Sequence, residues 1–257
     1  MWHWLNVVAV FTLLMSGLSI FNAHPRLYWG SYGADYDYPW LQIGSRDVGH
    51  EGYLRIGRVR IETTGVLGAS QRDGRQVRRA FPDWMTLPAH YSLADGRKYH
   101  FLAAWLLAIT GALYLAWSLL NRHVGRDLLP RRGELAPSHL WRDIRDHARL
   151  RLPRGAAAAR YNVLQKLAYL VVLFVLLPAM VLTGLGMSPT INTASPWILD
   201  LLGGRQSARS IHFIAAMLIA GFILVHLVMV VIAGPVNEIR SMITGRFRLP
   251  PEREERT

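Results

Sequence analysis

The stretch SIHFIAAMLIAGFILVHLVMVVIA at residues 210–233 is apolar beyond Ile211 except for two histidines, His212 and His226, fourteen residues apart. Fourteen residues of α-helix rise about 21 Å and turn about 1400°, within about 40° of a whole number of turns. The two imidazoles therefore share one face at two depths. A polar group in hydrocarbon must find a partner, and an ionisable residue in a membrane-grade helix points to function by default. Two more histidines lie at the ends of apolar runs: His3 in WHWLN and His100 in YHFLAAW. A six-coordinate haem takes an axial imidazole from each side. Four histidines at two matched depths have the types and the spacing to hold two haems.

The elements that must position them are four apolar blocks, at 2–21, 99–120, 161–186 and 211–234. Each is long enough to cross a bilayer, which takes about 20 apolar residues. The chain has 257 residues, 51% of them hydrophobic. Block two has no Asp, Glu, Lys or Arg, and block three has only Lys166, near its end, where it can snorkel to the interface. Trp2, Trp4, Tyr99, Trp117 and Tyr161 mark block ends as an aromatic belt does. The first block lacks a basic leading region and a small-residue cleavage pattern, so it reads as a retained helix. There is no cysteine, which excludes disulfides, thiolate-held iron–sulfur clusters and CxxCH haem attachment. The expected fold is an all-α membrane protein, a bundle of four transmembrane helices (1–234) with a small extramembrane, periplasmic lobe (22–98) between the first two.

Charge sets the orientation. Segment 121–160 carries ten arginines and four acids, whereas 187–209 has only Arg205, Arg209 and Asp200. The positive-inside rule places 121–160 in the cytoplasm as a basic loop and 187–209 outside. Both termini then lie inside, including the tail 235–257 with its five arginines. The net charge of +12 is mostly a topology signal. The arginines track membrane ends rather than one face, so nucleic-acid binding is a poor reading of the charge and no nucleic-acid partner is expected. SHLWRDIRDHARLRL at 138–152 fits a short amphipathic helix lying on the inner leaflet.

This orientation pairs the histidines. Helix two begins outside, so His100 in its first turn is level with His212. Helix one begins inside, so His3 lies on the side of His226. His123 is the substitute ligand, but it lies about 35 Å below His100 by helical rise, too deep to match His226. Gly17, Gly111 and Gly221 can admit a flat macrocycle or a neighbouring helix. Arg209 and Arg205 precede His212 by three and seven residues and suit haem propionates or the interface itself. In the lobe, YLRIGRVRIETTGVLG (53–68) alternates and predicts one or two short strands. LPAHYSLADGRKYH (87–100) predicts a loop with a turn at Asp95-Gly96, and Pro178 predicts a kink in helix three. His24, His50 and His90 read as surface or docking residues, and no internal repeat is evident.

The fragments WHWLN, HPRLYWG (24–30), LPAHYSLADGRKYHF (87–101), ARYNVLQKLAY (159–169), LTGLGMSP (182–189) and GGRQSARSIHF (203–213) resemble the thiosulfate-reductase-type cytochrome b subunits. These belong to the superfamily of bacterial cytochrome b561, nickel–iron hydrogenase cytochrome b and formate dehydrogenase gamma subunits. The resemblance spans nearly the whole chain, and RSIHF…LVH is its most specific part. It implies a four-helix subunit of the bacterial inner membrane with two b-type haems on His3, His100, His212 and His226. It also implies electron transfer between the quinone pool, met at the inner haem, and a periplasmic oxidoreductase, typically molybdenum-containing and reached directly or through an iron–sulfur subunit. Such a chain is an electron-transfer subunit of a respiratory complex rather than a stand-alone enzyme. Family members carry a short basic stretch before WHW, whereas this chain starts at Met1-Trp2-His3, so the inner site is expected to be the less complete one. Two rivals come from other classes. A transporter using intramembrane histidines would show acids in its spans, and the four blocks contain none. A haem-free membrane anchor would need no matched histidines.

Overall fold

The structure, a computed structural model, describes residues 2–46, 51–72, 74–130, 132–149 and 163–245. His50, residues 150–152 of the amphipathic stretch and the end of the tail lie outside that set. Four helices are long and apolar enough to cross a membrane: α1 (Trp2–Phe21), α2 (Leu93–Leu120), α4 (Val163–Met187) and α7 (Arg205–Ala233). The chain divides into two compact units, Trp2–Leu113 with Ala179–Ala216, and Tyr114–Pro178 with Met217–Thr257 and Met1.

The first unit holds α1, the lobe and the start of α2. The lobe is richer in strands than its alternation predicts. β1 (Arg26–Leu27), β2 (Leu41–Arg46), β3 (Glu51–Ile56) and β4 (Val59–Glu62) form one antiparallel sheet in that order, and β5 (Ser70–Arg72) pairs with β6 (Arg75–Val77). Ile56 faces Val59, so Gly57-Arg58 is a two-residue turn. Gly57 supplies the positive φ of +56° that such a turn favours. β2 was missed because its inward residues are only Leu41 and Ile43. β5 and β6 were missed because they are short and polar, although Asp73-Gly74 between them is a hairpin signal. The lobe core is Phe21, Leu27, Leu41, Ile43, Ala80 and Phe81. Phe21, the last residue of α1, stacks on Phe213 of α7 at 4.7 Å and meets Phe81 edge-on at 5.8 Å.

α2 starts at Leu93, six residues before the expected 99, and takes in Asp95-Gly96, so the expected turn there is helical. The Ser92 hydroxyl explains this. It accepts the Asp95 N–H at 3.2 Å and donates to the Asp95 carboxylate at 2.8 Å, satisfying an orphan donor of the first turn from the serine–acid spacing of a capping box.

α5 (Pro189–Ala194) and α6 (Trp197–Leu201) lead to the start of α7. Gly203 and Gly204, at φ +74° and +102°, turn the chain into α7. The first turn of α7 is then capped from far along the chain. The carbonyl of Gly30 accepts the N–H groups of Gln206 and Ser207 at 3.1 Å each, and Ser207 Oγ accepts the Gly30 N–H at 2.7 Å. Ser210 Oγ accepts from Trp40 Nε1 at 2.9 Å and donates to the Tyr28 carbonyl at 2.6 Å.

The second unit holds the end of α2, α3 (Pro137–Ala148), the first part of α4, the later part of α7 and α8 (Pro235–Thr244). Lys166, expected to snorkel, pairs with Glu134 at 2.8 Å. α3 leaves Trp141 and Ile144 exposed beside its charged positions. In α4 the proline is absorbed by a π-helical turn. The chain widens at Val172–Leu176, and Leu177 N–H reaches the Val172 carbonyl, just before Pro178. A wide turn is how a helix accommodates a proline that offers no N–H to residue 174.

Candidate functional site

His100 is the eighth residue of α2 and His212 the eighth of α7. The first unit brings them together with ring centroids 6.2 Å apart and planes inclined at 57°. Each ring meets one hydroxyl from another helix, and a backbone carbonyl of that same helix, Leu13 for His100 and Met180 for His212, also accepts from the ring. His100 Nδ1 lies 3.0 Å from Ser16 Oγ on α1, and His212 Nδ1 lies 2.9 Å from Thr183 Oγ1 on α4. Both hydroxyls are fully buried.

The hydroxyl protons fix the direction of these bonds. Ser16 Oγ sits 2.5 Å from the Thr12 carbonyl, and Thr183 Oγ1 sits 2.6 Å from the Ala179 carbonyl. Two oxygens that close need a proton between them, and a carbonyl has none. Each hydroxyl therefore donates to its own helix and accepts from imidazole. This direction assigns both histidines as Nδ1–H tautomers, an arrangement that would leave both Nε2 lone pairs able to act as ligands.

The pair fits a haem. A six-coordinate haem would take one imidazole from each side, so the two rings would have to face one group from opposite sides at close range. The separation in the structure is 6.2 Å. Among the described residues no group of three or more His, Cys, Asp or Glu could hold a bare metal ion, so the remaining ligands of an iron here would come from a macrocycle. Small residues flank both rings. A Cβ on Gly17 would lie 3.5 Å from His100 Cε1, and one on Gly184 would lie 3.8 Å from His212 Cε1. Gly111 and Gly221 face open space, which counts against close helix packing as the reason for glycine there.

His3 and His226 belong to different units. His3 is exposed in the first turn of α1, with its ring edge-on to Trp4 at 5.5 Å. His226 is half-buried on α7 and stacks on Phe222 at 6.0 Å, and Phe222 meets Tyr169 edge-on. His123 lies beside Trp117 at 6.0 Å. Arg209 turns toward the lobe. Its two terminal nitrogens donate to the carbonyls of Arg26, at 3.0 Å, and His24, and its guanidinium lies over the Phe21 ring at 5.6 Å. Arg205 donates to the Met187 carbonyl at 3.0 Å.

Ser16 and Thr183 are the site residues that sequence reasoning missed. A serine or threonine in a membrane helix ordinarily bonds its own backbone, and these do that as well. The available signal was the recurrence of Ser-Gly-Leu at 16–18 as Thr-Gly-Leu at 183–185.

Comparison with known proteins identifies the family. The chain is 26% identical over 243 residues to an Azospira oryzae protein named as a protein-methionine-sulfoxide reductase subunit, YedZ1, covering 95% of this chain and 91% of that one. No solved structure matches it. The profile of the family described as prokaryotic cytochrome b561 matches residues 1–245. The chain thus belongs to the prokaryotic cytochrome b561 family, as a multi-pass membrane subunit that binds haem b and transfers electrons.

Proposed function

We propose that this chain carries two b haems, one between His100 and His212 and one between His3 and His226. It would pass electrons between the quinone pool and an oxidoreductase outside the membrane. The observation that carries this reading is the imidazole pair at 6.2 Å with both Nδ1 atoms bound to hydroxyls. Bound haem supplies reversible one-electron chemistry. The chain's part is to hold the imidazoles as neutral ligands and to anchor the lobe over the site. The helix-seven segment 205–210 does that anchoring through Arg209, Ser207 and Ser210. Arg209 commits one N–H from each terminal nitrogen to the lobe, and its other donors suit a propionate.

The excess of arginine in 121–160 over 187–209 supports a bacterial inner-membrane orientation in which both termini would be cytoplasmic and the lobe periplasmic. The lobe then meets the partner. A reductase partner is supported by the name of the Azospira relative; electrons would then run outward from quinol. The partner's molybdenum centre, and any iron–sulfur subunit between, follow from the resemblance to thiosulfate-reductase-type subunits. Quinone would meet the chain on the side of His226.

The test is a reduced-minus-oxidised spectrum of the purified full chain, with haem counted per chain. Two b haems are expected. His100→Ala and His212→Ala should each remove the same haem, and His226→Ala the other. Two haems retained in His212→Ala would overturn the pairing. No haem in the unaltered chain, expressed with haem available, would favour a haem-free anchor or a transporter.

A further inference from the structure

The site at His100 and His212 is built twice from the same parts. In each half a helix arriving at the lobe end presents a hydroxyl followed by Gly-Leu: Ser16-Gly17-Leu18 on α1 and Thr183-Gly184-Leu185 on α4. In each half a helix leaving that end presents a histidine as its eighth residue, on α2 and on α7. The hydroxyl bonds the histidine Nδ1 at 3.0 Å in one half and 2.9 Å in the other. It also bonds the carbonyl four residues back at 2.5 Å and 2.6 Å. The glycine beside the hydroxyl comes nearest the Cε1 edge of the same ring, with a built Cβ at 3.5 Å and 3.8 Å. The connecting segments share none of this regularity: residues 22–92 form the sheet-containing lobe, whereas 188–204 hold only two short helices.

We propose that Ser16 and Thr183 are paired positioning residues that lock His100 and His212 in the Nδ1–H tautomer and jointly set the redox potential of the group held between them. The inference rests on the assignment of those two histidines as axial ligands. A hydrogen bond donated from Nδ1 fixes ring orientation and raises the basicity of the ligating nitrogen. A more basic ligand favours the ferric, more positive state. Because each hydroxyl proton is already engaged by a backbone carbonyl, the oxygen acts only as an acceptor toward the ring. The alternative tautomer would put a lone pair against that oxygen and a proton where the iron must bind. The two halves act on opposite faces of one group, so their effects on potential have the same sign and add.

The experiment is a redox titration of the purified full chain, with haem counted per chain, for Ser16→Ala, Thr183→Val and the double variant. Ser16→Thr and Thr183→Ser serve as controls that keep a hydroxyl. Each hydroxyl-deleting variant should keep both haems and raise the midpoint of one of them. A tenfold loss of ferric over ferrous preference is about 59 mV for a one-electron couple, and the double variant should show the two shifts summed. The hydroxyl-keeping variants should titrate like the parent. Loss of one haem in Ser16→Ala with retention in Ser16→Thr would also support the lock. Unchanged midpoints at unchanged haem content would overturn it, as would equal damage from Ser16→Ala and Ser16→Thr. Failure of the ligand assignment would look different: His100→Ala and His212→Ala would then keep both haems.

Discussion

In the lobe the deeply buried side chains include Leu27, Ile43 and Phe81, each no more than 5% exposed. Along the helices of the same unit the deeply buried positions include Ala9, Ser16, Ser19, Ala103, Thr183, Ala208, Ser210 and Ala215, while Leu102 and Trp105 are 73% and 64% exposed. The lobe buries its large apolar groups because water surrounds it. Helices in lipid gain nothing comparable from burying leucine, so they place small residues inside, pack closely and use hydroxyls to join one helix to the next. The Ser16 and Thr183 bonds to imidazole are that rule turned to the service of a site. The two packing regimes meet at Phe21, Arg209 and Ser210, where α1 and α7 reach the lobe.

The largest test of the contrast is Phe81→Ala. Phe81 packs on Phe21 at 5.8 Å within the lobe core, and a buried Phe→Ala change costs about 3–5 kcal/mol. The lobe should lose hydrogen-exchange protection by that amount while the helices keep theirs and the haem count holds. Simultaneous loss of protection in α1 and α7 would show the two regimes to be one cooperative unit.

A smaller effect is expected at the junction. Burial, and then the nearby Arg209 guanidinium, push the His24 pKa below its ordinary 6.5, and its Nε2 is buried without a partner. As pH falls, the unfolded chain takes up this proton before the folded one does. The contribution of His24 is therefore fully present above about pH 6.5 and is lost as pH falls through the lower folded value. Thermal stability of the lobe should decline on acidification from about pH 7.5 to about pH 5.5, and His24→Gln should flatten that slope. A slope unchanged by the substitution would assign the pH dependence to other groups.

How much of this was legible in the sequence follows the same division. The spans were plain because membrane helices need long apolar runs, and no tertiary context alters that need. His100 and His212 could be singled out because imidazole in such a run stands out. Ser16 and Thr183 did not, since a hydroxyl that bonds its own helix looks the same until a partner 84 or 29 residues away is in place. The Ser92 cap was readable from Ser-Leu-Ala-Asp but was outweighed by Asp-Gly as a turn signal. β2 carries too short an alternation to declare itself. β1, only two residues long, is a strand because β2 lies beside it. The bonds from Gly30 to Ser207 and from Trp40 to Ser210 join residues 170 or more apart, and local pattern contains no trace of them.

The smallest effect closes the comparison from the helix side. Leu102 lies two residues beyond His100 on α2, yet it is 73% exposed. If the surroundings were water, so exposed a leucine in a run with Trp105 and Ile109 would form an apolar patch calling for a partner. In lipid it is already in its preferred solvent. Leu102→Ala should therefore change stability in a bilayer by no more than about 0.5 kcal/mol, as surface substitutions do. It should also leave both the haem count and the midpoint potentials at parental values. The measurement is hydrogen exchange and redox titration on the chain in nanodiscs. A core-sized loss, about 2–5 kcal/mol for Leu→Ala, would mean that this face of α2 packs against protein. The outward face near His100 would then be an interface rather than a lipid contact.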